Sequence, residues 1–160
     1  MQIISEISVD QVVSQLKQNG TSVGLPEFAG EYRCYRGILS DGDLPGLVMW
    51  FENEKHTEAG SCLLPDLHES RREAPRVASF IHGNPQKGFA PADLRTLPGR
   101  EPVLLGFRSD VPFFYAIDGN NRLQAHYLTH RSVEGVPVFL CVHPEVQNWA
   151  YIPRYHKPRL

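Results

Sequence analysis

Asp118, Gly119, Asn120, Asn121 and Arg122 stand together where an apolar run, Phe113 to Ile117, passes into a helical pattern carried by Leu123, Tyr127 and Leu128. The first amides of a helix have no intrahelical partner and add to the positive end of its dipole, so such a junction favours anions. Gly119 lets backbone approach a ligand closely. Asn120 and Asn121 tolerate unusual turn angles while offering amide donors, and Arg122 supplies a fork suited to phosphate or carboxylate. These are the parts of a phosphate cradle. The same residues also support a plainer reading, in which Asp118 caps the helix, Gly119 makes the turn and Arg122 is solvated. No Walker-type phosphate loop, Rossmann glycine fingerprint or Gly-x-Ser-x-Gly elbow occurs elsewhere in the chain. A nucleotide would therefore have to use the Gly119 turn.

The run Ile117 to Ala125, followed by Val136, Pro137 and Val138, resembles the ParB/sulfiredoxin-like superfamily. Upstream, Asn84, Pro85 and Gln86 look like the family's Asn-Pro segment, with Phe89, Leu94 and Leu97 on the helix after it and Pro102 to Leu105 as the next strand. The resemblance covers residues 77–143. It implies a small α/β domain whose Gly-x-x-Arg turn holds nucleotide phosphates, as in CTP-binding partition proteins, an ATP-using sulfinic acid reductase and a free serine kinase. In an enzyme reading of that turn, Asp118, Arg122 and His82 are the candidate catalytic residues. Asn84, Gly119, Asn120, Asn121 and Arg122 would bind the ligand, with ATP or CTP and Mg²⁺ as cofactor. Asn121 stands where many relatives carry His, Gln86 where partition proteins carry Arg, and the turn has no Cys, which argues against sulfinic acid reductase chemistry. A partition protein's DNA-binding helix-turn-helix domain would need more chain after His143 than is present, so a complete partition protein is not expected. Two classes of function follow. One is an enzyme hydrolysing a nucleotide or transferring phosphoryl groups, with Asp118 orienting the turn or a metal-bound water and Arg122 stabilising phosphate charge. The other is a non-catalytic binding or regulatory module that recognises nucleic acid or a protein partner.

Histidine is the second group with chemical potential. His126 and His130 are four apart on the expected helix and share a face, and His143 could supply a third ligand to zinc or iron. No carboxylate is sequence-paired with them, so a surface-facing or backbone-bonded pair is the default and no metal site is assigned. His82 precedes Gly83, Asn84 and Pro85, and the resemblance would place that loop beside the Gly119 turn. Cys34, Cys62 and Cys141 are odd in number and lack metal-type spacing, which points to reduced structural thiols. The run Trp149 to Arg159 interleaves aromatics and cations. It fits either stacking on bases or a tail pinned to the domain.

The elements that must position these residues are those of an α+β (mixed α/β) fold, a small mixed sheet with three or four helices. Ser8 or Asp10 can cap a helix with Val12, Val13 and Leu16 on its apolar face, stopping at Asn19 and Gly20. Glu31 to Leu39 alternates, Asp41 to Asp43 turns, and Gly46 to Phe51 is apolar, a pattern that reads as a β-hairpin or β-meander with Trp50 and Phe51 in the core. A short helix is expected near Pro65 to Arg72, and Pro102 to Leu105 and Val136 to Val142 read as strands. The chain of 160 residues is long enough for one sizeable core. One compact domain is expected, with an N-terminal helix and hairpin over 1–75, the core over 77–143 and a tail over 144–160. Residues 1–75 carry net charge −6 and residues 76–160 carry +4. The basic half suits a phosphorylated partner and gives only weak support for nucleic acid, and the acidic half could equally dock against it. No apolar run reaches membrane-spanning length and no secretory leader opens the sequence, so no membrane partner and a cytoplasmic location are expected.

Overall fold

The computed structural model describes residues 1–20, 24–52, 59–84, 86, 91 and 93–148. Among them, seven strands form one mixed sheet and three α-helices cover it: β1 (Gln2–Ile7), α1 (Val9–Gln18), β2 (Arg33–Ile38), β3 (Leu47–Glu52), β4 (Ala59–Leu63), α2 (Pro75–His82), β5 (Val103–Gly106), β6 (Phe114–Asp118), α3 (Asn120–His130) and β7 (Pro137–Val142). The strand order is β1-β2-β7-β5-β6-β3-β4. Pairs β3/β6 and β5/β7 are parallel, and the other neighbours are antiparallel. This is the expected α+β class.

Strand alternation divides the core into two layers. Leu47, Leu104, Phe114, Ala116, Val138 and Leu140 join Val77 of α2 and Leu123 and Leu128 of α3 on one side. On the other, Cys34, Val48, Leu105, Tyr115, Ile117 and Phe139 pack with Val12 and Leu16 of α1. The first helix begins at Ser8 rather than Asp10. The Ser8 hydroxyl accepts from the Gln11 amide while the Gln11 side chain accepts from Ser8, a reciprocal cap that satisfies two otherwise orphaned donors. No helix among the described residues is long and apolar enough to cross a membrane.

The hairpin or meander expected to join the second and third strands is not formed, because β7, β5 and β6 lie between them. The linking Asp41–Gly46 segment is a 3₁₀ helix, opened by the Ser40 amide donating to Asp43 at 2.9 Å. Asp41 turns instead toward the end of α3 and accepts from the Val133 amide and the Ser132 hydroxyl, each at 2.8 Å. These bonds direct the chain across the sheet, and β3 finds its antiparallel partner in β4. Trp50 is only half-buried. Near Pro65 to Arg72 the chain makes two 3₁₀ turns, Leu64–Asp66 and Glu69–Glu73, and the α-helix begins only at Pro75, whose fixed φ and missing N–H suit a first helical position.

The helix expected after Asn84 is also corrected over the residues described there. Residues 93–97 form a turn, closed by the Thr96 amide on the Asp93 carbonyl at 3.0 Å, and the neighbouring helix α2 precedes Asn84. Prolines at 91, 98 and 102 leave little uninterrupted chain for a helix. Pro85, Phe89 and the Trp149–Arg159 tail lie outside the described residues. Cys34 and Cys141 face one another across β2 and β7 with Cα atoms 4.2 Å apart and form a disulfide, which corrects the reduced-thiol reading for this pair. Cys62 keeps its thiol.

Candidate functional site: the turn between β6 and α3

β6 runs inside the sheet, between β5 and β3, and delivers Asp118 to its end. The Asp118 carboxylate accepts from the Asn19 side-chain amide at 2.8 Å and from Arg122 Nη2 at 3.4 Å. Asn19 is the C-cap of α1, so helices from both faces of the sheet meet at this carboxylate. Gly119 follows with φ of 81°, a left-handed conformation that L side chains rarely adopt. A Cβ there would lie 3.0 Å from Cα of Pro102. Val103 pairs with Asp118, so Pro102 is carried against the turn by the β5/β6 ladder.

The two asparagines have different fates. Asn120 is spent within the fold: its carbonyl oxygen accepts from the Trp50 amide and its NH₂ donates to the Ala116 carbonyl, both at 2.8 Å. Asn121 lies half-buried on the first turn of α3. No side chain caps that turn, and the first helical bond is made by the Leu123 amide to the Gly119 carbonyl, so the amides before it keep their anion-attracting character.

Arg122 is the unusual member of the turn. Its side chain is 9% exposed, and Nε is buried with no hydrogen-bond partner among the described residues. Desolvation pushes its pKa below the usual arginine value, opposed by the nearby Asp118 and Glu101 carboxylates and reinforced by Arg100. Oε2 of Glu101 is a second buried atom with no partner among the described residues. A buried guanidinium with an unspent donor, at an uncapped helix start, has the chemistry to hold an anionic oxygen. Clefts of about 360 Å³ open elsewhere, one beside α1 at Gln15, Arg36 and Phe139 and one beside Asp43, Asp110 and Pro112. Neither is lined by residues of the turn.

Chain connectivity thus brings Asp118, Gly119, Asn120, Asn121 and Arg122 together. His82 is exposed at the end of α2, where Gly83 caps the helix, and Asn84 follows half-buried. No described contact joins His82 to the turn. Asn19, Arg100, Glu101 and Pro102 were not expected there. The strands expected at Pro102–Leu105 and Phe113–Ile117 signal the position of Pro102 once paired antiparallel, whereas nothing in the spacing of Asn19 signals its role. The buried Gln124, also unexpected, links Arg71 Nε at 3.0 Å to the Trp50 carbonyl at 3.2 Å and fixes α3 to β3.

The second polar cluster lies one to three turns along α3. The rings of His126 and His130 are 4.5 Å apart, and Asp93 Oδ1 is 3.8 Å from His126 Nδ1. Burial, aided by the neighbouring His130, pushes the pKa of His126 down to about 4, so its ring is neutral at pH 7. His143 is not part of this group. It packs against the rings of Phe28 and Tyr32, with Nε2 3.1 Å from the Ala29 carbonyl oxygen.

A comparison with protein-family models, curated proteins and solved structures finds no match to this chain.

Proposed function

We propose that this protein binds the phosphate of a nucleotide or another phosphorylated small molecule at the Asp118–Arg122 turn, as its resemblance to the ParB/sulfiredoxin-like superfamily implies. The observation that carries the proposal is the buried Arg122, whose Nε–H is unspent beside the uncapped first turn of α3. In this reading the α3 amides and Arg122 receive phosphate oxygens, and Asp118, held by Asn19, keeps the guanidinium aimed. ATP or CTP with Mg²⁺ is the ligand class the resemblance implies. The donor set fits such an ion in type, since Glu101 has an unpartnered carboxylate oxygen and Asp118 stands beside the same arginine, leaving phosphate oxygens and water to complete the shell. Hydrolysis or phosphoryl transfer would use Arg122 to stabilise phosphate charge and Asp118 to orient a metal-bound water.

A non-catalytic binding or regulatory module is the second reading. It is favoured by the commitment of both ends of Asn120 to the fold and by the exposed position of His82, which leaves the turn without a placed general base.

Thermal-shift titration with ATP, CTP and inorganic pyrophosphate, with and without Mg²⁺, on wild type and Arg122→Lys tests the proposal. Specific binding raises the melting temperature of the wild type with the logarithm of ligand concentration above the Kd. The lysine variant keeps a charge but lacks the Nε donor, so its shift should shrink. Equal shifts in both proteins, or none in a folded wild type, would contradict phosphate binding at this turn. Phosphate release from the bound nucleotide then separates the enzyme from the module.

A further inference from the structure

We propose that Asp93, His126 and His130 form a binding site for a single divalent transition-metal ion of the zinc class. The inference does not rest on the phosphate-site reading. His126 and His130 lie on the same face of α3, and the turn at residues 93–97 delivers Asp93 to them, 33 residues earlier in the chain than His126. One donor atom from each residue lies within 4.8 Å of the other two. A tetrahedral zinc ion with bonds of about 2.0–2.1 Å needs its donors roughly 3.3 Å apart. His130 is exposed and the Asp93 side chain is one-third exposed, so both can adjust while the buried His126 stays fixed. Two imidazoles and one carboxylate suit zinc, iron(II) or cobalt(II), and the exposed side leaves room for water as a further ligand.

The metal-free site is closed by two local partners. Arg95 grips Asp93 through Nε at 2.9 Å and Nη2 at 2.8 Å, and the Leu94 amide donates to His126 Nδ1 at 3.3 Å. This last bond assigns the ring proton to Nε2 and leaves Nδ1, which lies 3.8 Å from Asp93 Oδ1, as the acceptor. An ion entering the site takes the Nδ1 lone pair from the long Leu94 bond and takes Asp93 from Arg95, whose side chain is 43% exposed and can swing into water. Arg95 therefore acts as a competitor, and its charge also opposes the incoming cation.

Cobalt(II) titration of the chelator-treated full chain, followed by visible absorption and zinc competition, tests the site. One cobalt per chain should bind with ligand-field absorption and be displaced by one zinc. His130→Ala and Asp93→Asn, verified as folded by circular dichroism, should each weaken binding roughly tenfold or more, whereas Arg95→Gln should tighten it. Absence of cobalt and zinc binding would overturn the proposal. Binding unchanged in both His130→Ala and Asp93→Asn would overturn it equally, since the ion would then reside elsewhere.

Discussion

Asn19 and Asp118 are 99 residues apart and share a hydrogen bond of 2.8 Å, which ties the end of α1 to the start of α3 at one largely buried carboxylate. Removing that carboxylate leaves the Arg122 guanidinium buried without its counter-charge. Asp118→Ala should cost about 3 kcal/mol, whereas Asn19→Ala, which leaves the ion pair intact, should cost about 1 kcal/mol. Urea unfolding of the two variants measures both. Equal losses would show that the pair does not depend on its burial.

Gly119 answers two demands at once, a φ of 81° and the Pro102 backbone 3.0 Å from where a Cβ would stand. Gly119→Ala should destabilise the protein by about 2 kcal/mol, from left-handed strain of about 1–2 kcal/mol and the close approach to Pro102. Chemical denaturation that shows a loss below about 0.5 kcal/mol would mean the turn relaxes freely.

In the metal-free protein, His126 makes stability pH-dependent. Its folded-state pKa of about 4 lies below the unfolded value of 6.5, so the unfolded chain binds more protons between those limits. The stabilisation is complete above pH 6.5 and is lost as pH falls toward 4, by up to about 3 kcal/mol. Asp93, Arg95 and His130 face the same ring, and Asp93, held well below the usual carboxylate range mainly by its hydrogen bonds to Arg95, stays ionised across this window. Urea unfolding at successive pH values should show the slope in wild type and a flatter line in His126→Gln.

The Cys34–Cys141 bond spans 107 residues and joins adjacent strands. Closing a loop of that length should stabilise the fold by roughly 4–5 kcal/mol in the chain-entropy account. Thiol titration of the non-reduced, denatured chain should find one thiol, that of Cys62, and reduction should lower the melting temperature by roughly 10–20 °C. Three thiols before reduction would contradict the pairing.

The elements that surround the turn were legible because their signals are local. Phe114 to Ile117 is a compact aromatic and β-branched run, Gly119 breaks it, and Leu123 and Tyr127 recur at helical spacing with Leu128 beside them. Ser8, followed by Val12, Val13 and Leu16, likewise announces α1 locally. What stayed hidden depends on pairing between distant segments. Nothing near Asp41 says that it will bond Val133 and so carry β3 across the sheet, and Cys34 faces Cys141 only once β2 lies beside β7. Asp93 escaped notice for the same reason: His126 and His130 declare themselves by spacing, but their carboxylate neighbour arrives from a separate turn. Nor could the sequence distinguish a solvated Arg122 from a buried one, because its burial arises from tertiary packing at a junction where Asn19 bonds Asp118 and Pro102 lies against Gly119.

Isothermal titration of wild type and Arg122→Lys with ATP and with CTP, in Mg²⁺ and at fixed ionic strength, tests the central claim most directly. The account predicts saturable binding of at least one nucleotide at one site per chain, weakened roughly tenfold or more in the folded lysine variant, as expected for loss of a charge-assisted bond of about 1.5–3 kcal/mol. Identical affinities in the two proteins, or no heat of binding in a folded wild type, would contradict it.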